Sequence, residues 1–272
     1  MWTWLIWCTD QPDMFTYTTD MGNSISIMDR NLGATMASIS EVQSESDIPK
    51  LCGLYYQWGR PIPFIADQLS AGTGFTGETA ISQAFTFYYP TFLMYSASSW
   101  YAPFNWGDAN LGGFTRGSVS NLWGNNNVQA VTWRSVGDIQ KTIYDPCPPG
   151  YQVAPADFMH GFTNTNASAD LTADNWGVYR AVNEGYVYFP YNGKCTLTGM
   201  CPRWNDSRMV SLSAEADAND GCSVCIWSSG SDNGCYGWGW TANYSGQTSA
   251  GCSTATSAGY WAKGIRCVAD DK

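Results

Sequence analysis

From Gly221 to Ala262 the chain carries one charged side chain, Asp232, among eight glycines, eight serines and seven tryptophans or tyrosines. A stretch so poor in aliphatic residues has little from which to build a core of its own, so a frame made elsewhere in the chain must hold it. The same usage suits a recognition surface. Tyr and Trp supply rigid amphipathic contact area, while Ser, Gly and Asn supply adaptable hydrogen bonds.

The rest of the chain shares this bias. Charged residues are 13% of 272, about half the usual share, so Ser, Thr, Asn, Gly and Tyr must cover much of the surface. Hydrophobic residues at 44% and aromatics at 15% exclude disorder. The net charge is −10, which repels phosphate backbones and argues against nucleic acid or a polybasic membrane contact. No run approaches the roughly 20 apolar residues that span a bilayer, so direct membrane insertion is not expected. The opening MWTWLIWCTD has no basic n-region and no cleavage site, so it is not a signal peptide. Met1 before Trp2 reads as the start of an excised piece, with any export signal upstream. Ten cysteines in so charge-poor a chain point to an oxidising, exported setting.

Short apolar runs separated by turn residues predict an irregular α+β, mostly-β domain. Alternation predicts strands over Trp2–Trp7, Ser24–Met28, Leu54–Trp58, Val187–Phe189 and Gly264–Val268. Residues 9–24 ahead of Ser24 read as polar turns and 41–50 as a polar loop with at most a helical turn. Residues 66–140 read as a long insertion with short strands. Cys147-Pro148-Pro149-Gly150 is a rigid turn into Tyr151–Val153, and Pro155 suits the first turn of a helix through Phe158 and Met159. No composition break divides the chain, so 1–272 reads as one domain.

Four blocks carry a resemblance. They are IMDRNLGAT at 27–35, GLYYQWGR at 53–60, KTIYDPCPPGYQV at 141–153, and the closing IWSS at 226–229 with GIRCV at 264–268. In this order the chain resembles the major paralogous domain of Fibrobacter and Bacteroidetes surface proteins. The version at the C-terminus of Bacteroidales fimbrial tip proteins is the most similar. The resemblance implies a C-type-lectin-like fold with long loop insertions, in which N- and C-terminal strands pair and long loops form the binding face; WTWLIW would be that first strand. Variable proteins of diversity-generating retroelements share the fold, and 203–262 is similar in place and composition to their diversified region. Cys147 and Cys267 match the family's motif positions, which implies a disulfide between them. Cys8, Cys52, Cys222, Cys225, Cys235 and Cys252 stand where the family's pattern has no cysteine.

The resemblance implies a non-enzymatic, surface-displayed protein at a fimbrial tip or cell surface, diversified by a retroelement. Its partner would be a glycan or protein on another cell or a phage host, with other pilus subunits as further partners. The residues expected to bind are Trp204, Asn205, Ser229, Ser231, Asp232, Asn233, Tyr236, Trp238, Trp240, Asn243, Tyr244, Tyr260 and Trp261. Asp29, Arg30 and Asn31 read as buried structure, since charged groups indoors need partners. Tyr55, Tyr56, Trp58 and Arg60 read as an aromatic core with a stacked or paired arginine.

Other motifs weigh less. Gln11-Pro12-Asp13 and Trp204-Asn205-Asp206 match calcium-dependent sugar motifs of true lectins, but 190 residues separate them here. Cys195, Cys201, Cys222 and Cys225 fit disulfides better than a zinc site. With His160 as the only histidine and no HExxH, GxSxG or phosphate-binding glycine loop, neither a catalytic set nor a cofactor or metal is assigned. The alternatives are a formylglycine-generating-type or other surface enzyme, which shares the fold, and a structural pilin subunit.

Overall fold

The computed structural model describes, with side chains, residues 6–19, 22–64 (Glu45 by backbone only), 123, 141–155, 158, 177–192 and 262–270. It describes the backbone of 74–75, 93–94, 171–173, 203–205, 208–210, 223–232, 236–244 and 250–258. These residues form strands in small sheets, antiparallel in all but two pairings, with few helices. The strands are β1 Met14–Thr18, β2 Ser24–Met28, β3 Tyr56–Gln57, β4 Gly74–Phe75, β5 Leu93–Met94, β6 Tyr151–Val153, β7 Leu171–Ala173 and β8 Gly177–Val182. They continue as β9 Gly185–Pro190, β10 Arg203–Asn205, β11 Arg208–Val210, β12 Ser223–Asp232, β13 Tyr236–Tyr244, β14 Ala250–Ala258, β15 Ala262–Ile265 and β16 Cys267–Ala269.

A four-stranded sheet, β1-β2-β16-β6, divides the described interior in two. Successive residues of a strand face opposite sides, and the core follows that period. Tyr17, Ile25, Ile27 and Val268 pack on one side with Ile48, Phe158 and the β8–β9 residues Val178, Val187 and Phe189. Met28, Val153 and Cys267 pack on the other with Leu32, Tyr56, Trp58 and Ile265. Trp123, from within residues 66–140, is fully buried in this second cluster, its ring centroid 5.7 Å from that of Trp58. The β4–β5 pair also falls within 66–140.

The motif blocks meet at β15–β16. Leu32 donates its N–H to Ile265 O, and Ala154 donates to Arg266 O. Lys263 pairs with Tyr56, and Cys147 is disulfide-bonded to Cys267. That bond closes a sequence separation of 120 residues, a ring size at which a disulfide contributes about 2–5 kcal/mol by restricting the unfolded chain. Gly53 sits at φ +76 with Leu54 N–H bonded to Leu32 O. A Cβ there would come within 2.7 Å of Leu32 O, so the crossing of the two loops requires glycine.

The structure corrects several sequence expectations. Residues 14–18 are not a polar turn: MFTYT alternates, and β1 pairs with β2 along its whole length. Ile6 and Trp7 lie outside any strand, Ile6 is exposed, and Trp7 Nε1 donates to Ala34 O; residues 1–5 are outside the described set. The C-terminal β16 pairs instead with β2 and β6. The strand expected at Val187–Phe189 lies within β9, and β8 pairs with it as a hairpin. Phe158 closes a turn on Pro155 O; Met159 and His160 are outside the described residues.

The polar stretch 41–50 becomes 3₁₀ turns at Ile39–Glu41 and Glu45–Asp47, followed by α1 Ile48–Cys52. Asp47 organises this segment. Its carboxylate accepts from Lys50 Nζ at 2.7 Å and from the backbone N–H groups of Gln43 and Ser44. The Lys50 ammonium first, then those N–H groups, pull its pKa from 3.8 down to about 2. A depressed carboxylate stabilises the fold above its unfolded pKa and loses that contribution as pH falls toward its folded one. The gap in melting temperature between wild type and Asp47→Asn should therefore be widest above about pH 5 and close between about pH 4 and 2.

Candidate binding face

The stretch 223–258 is where sequence and structure differ most usefully. Its described residues are not long loops but an antiparallel three-stranded ribbon, β12-β13-β14. Tyr236-Gly-Trp-Gly-Trp240 alternates large and small with period two, and Thr254 and Thr256 add β-branched residues, so a strand is the natural local conformation. The ribbon is hydrogen-bonded into the frame. Its inner strand β12 runs parallel to β15, with Ile226 opposite Gly264 and Trp227 opposite Ile265. Strand β15 pairs in turn with β3, giving a five-stranded sheet in the order β14-β13-β12-β15-β3.

Residues paired across strands share a face, so the register sorts the candidates. Positions 236, 238, 240 and 244 of β13 fall on one face, which makes Tyr236, Trp238, Trp240 and Tyr244 a single row. Opposite them on β14 are Ala258, Thr256, Thr254 and Ala250. Asp232, paired with Tyr236, and Ile226, paired with Trp240, share this face. The other face holds Gly237, Gly239, Thr241 and Asn243, with Ser231, Trp227, Cys225 and Ser223 opposite them on β12. Asn243 and Ser231 are thus separated from the aromatic row. Ser229 lies in the register irregularity between Trp227 and Ser231. Trp204 and Asn205 lie on β10, which pairs with β11 in a separate two-stranded sheet, Trp204 opposite Met209. Asn233, Tyr260 and Trp261 lie outside the described residues.

The frame beside the ribbon is rich in buried charge. Arg30 makes a two-pronged contact to Asp29 and reaches Asp10 at 2.6 Å; the Asp29 carboxylate beside it raises its pKa. Asp145 accepts from Lys141 Nζ and from the N–H groups of Cys147 and Val153, pinning the CPPG turn. Burial pushes its pKa up. Arg60 lies over the Phe64 ring at 4.4 Å. Each of these charges has a packing or pinning role, as the sequence reading of Asp29–Asn31 and Arg60 expected. Cys8 and Cys52 are free, and burial pushes the Cys52 thiol up to about 12, far from the low pKa of a reactive cysteine. Among the described residues, no three of His, Cys, Asp and Glu gather as a metal site would require, and no helix is long and apolar enough to cross a membrane.

Comparison of the chain with family models, with curated proteins and with solved structures finds no match in any of the three.

The register distinguishes two tryptophans that composition treats alike. Trp227 shares its face with Ile265, which is fully buried in the Trp58–Trp123 cluster, whereas Trp238 pairs with Thr256 further out on the ribbon. Trp227→Ala should cost about 3–5 kcal/mol, the range for a core aromatic, and Trp238→Ala within about 1 kcal/mol. Urea denaturation of the two variants measures both.

Proposed function

We propose that the chain is a surface-displayed, non-enzymatic ligand-binding protein with a C-type-lectin-like fold. In this reading it is an adhesin or fimbrial-tip variable protein, diversified by a retroelement, that recognises a glycan or protein through 203–262. One observation carries the reading: four of its candidate aromatics fall in one row on a ribbon hydrogen-bonded to a disulfide-tied frame. Rigid aromatic anchors on a preorganised scaffold lose little conformational freedom on binding, which favours affinity. The fold assignment is supported by the meeting of the motif blocks at β15–β16, and by the pairing of that C-terminal segment with the early strand β2. The exported location is supported by the buried disulfide.

The test is a triple variant, Trp238→Ala/Trp240→Ala/Tyr244→Ala, compared with wild type on an array of immobilised glycans and extracellular proteins. Binding should fall at least tenfold, about 1.4 kcal/mol or more, while the melting temperature moves by no more than about 3 °C. A collapse of the melting temperature would assign these residues to the core and end this reading.

A further inference from the structure

The register of the ribbon narrows the class of ligand. This inference rests on the reading just given and concerns the same face. Same-face positions along a strand are two residues apart, about 6.7 Å at strand rise. Tyr236, Trp238 and Trp240 therefore form a regular row on β13, and Tyr244 extends it past Ala242 to about 27 Å, eight residues at about 3.4 Å each. A row suits an elongated ligand lying along the strand, where a cluster would suit a compact one. Thr254 and Thr256 stand opposite Trp240 and Trp238, so hydroxyl-bearing positions flank the aromatic ones. Aromatic positions registered against hydroxyl-bearing ones match a chain of pyranose rings, each with a C–H-rich face and a polar rim.

Charge decides between neutral and acidic ligands. Residues 221–262 contain no Lys or Arg, their one charge is Asp232, and the chain as a whole carries −10. A sulfated, sialylated or uronic polymer on the β13 row would meet a repulsive field with no cation between 221 and 262 to offset it; Arg203 and Arg208 lie on β10 and β11, in a separate two-stranded sheet. Protein interfaces draw heavily on Arg beside Tyr and Trp, and this segment has none. We infer that the juxtaposition of Tyr236, Trp238, Trp240 and Tyr244 in one row, with Thr254 and Thr256 alongside and the acidic Asp232 opposite Tyr236, takes a neutral linear glycan running parallel to β13.

Isothermal titration of the full chain tests this. The neutral probes are cello-, manno- and malto-oligosaccharides of two to six sugars; oligogalacturonides and heparin fragments are the acidic ones. At least one neutral series should bind, its affinity rising roughly tenfold or more with length before levelling off once the row is filled. The acidic probes should bind more weakly at every length. Trp238→Ala/Trp240→Ala should weaken the neutral series roughly tenfold or more, while Trp238→Phe/Trp240→Phe, which keeps a ring at each position, retains most of the binding. Preference for the acidic probes, affinity independent of length, or no binding of any neutral series would overturn the inference. If the chain instead captures a protein through the same aromatic positions, the glycan class falls while the adhesin reading stands. If the Ala and Phe variants bind as wild type does, both fall.

Discussion

A single buried guanidinium organises the described frame. Arg266 is fully buried, and taking such a charge out of water costs several kcal/mol unless hydrogen bonds replace its hydration. Burial first, with the nearby Arg30 charge adding to it and Asp29 opposing, pulls its pKa down to about 9, so it stays charged at neutral pH. It is held by three oxygens from three places: Asn31 Oδ1 at 3.0 Å, Met28 O at 3.0 Å and Tyr188 O at 2.8 Å. The Phe189 ring lies 4.4 Å below it. Asn31 passes the constraint on by donating to Cys52 O at the end of α1. One side chain thus fixes β2, the loop after it, the helix and the β8–β9 hairpin relative to the C-terminal strands. Without it, three buried acceptors would lose their donor, each at a cost of about 1–3 kcal/mol. Lysine, a point charge without the planar fork, could not satisfy all three in the same geometry.

The neighbours of Arg266 carry that rigidity outward. Ile265 before it is the register partner of Trp227, and Cys267 after it is disulfide-bonded to Cys147. The ribbon β12-β13-β14 therefore grows from the most constrained point of the described chain. A sheet extended from such a point can vary its side chains widely, because its backbone pairing does not depend on them. This offers a physical route by which a charge-poor Gly/Ser/Tyr/Trp segment, with little core of its own, is displayed in a defined shape.

Much of the frame was legible in the sequence. Ser24–Met28 read as a strand because it is short, alternating and bounded by turn residues; Gly264–Val268 read as one strand, whereas it parts at Arg266 into β15 and β16 of two different sheets. Asp29-Arg30-Asn31 read as buried structure because charged groups at a strand end need partners, and the Cys147–Cys267 bond followed from the family resemblance. What escaped were features that a local reading cannot weigh. MFTYT was read as turn because its flanks are polar and only its pairing with β2 reveals the alternation. Trp123 gave no local sign of joining Trp58 in the core, 65 residues away along the chain. The ribbon was hidden by its composition: glycine at alternate positions of 236–240 signals flexibility to a propensity scale, yet its period of two is the strand signature. Of the candidate binding residues, Tyr236, Trp238, Trp240 and Tyr244 fall in one row on β13, a grouping the sequence did not show. Its separation from Asn243 and Ser231 needed the register.

The claim that the segment around Arg266 holds the fold together can be measured amide by amide. Native-state hydrogen exchange should find the N–H groups of Leu32 and Ala154, which bond to Ile265 O and Arg266 O, among the slowest in the protein. They should exchange only through global unfolding and at the free energy found by denaturant titration. If these two amides exchange faster than those of the β8–β9 hairpin, the chain is anchored elsewhere and the frame described here is not what supports the ribbon.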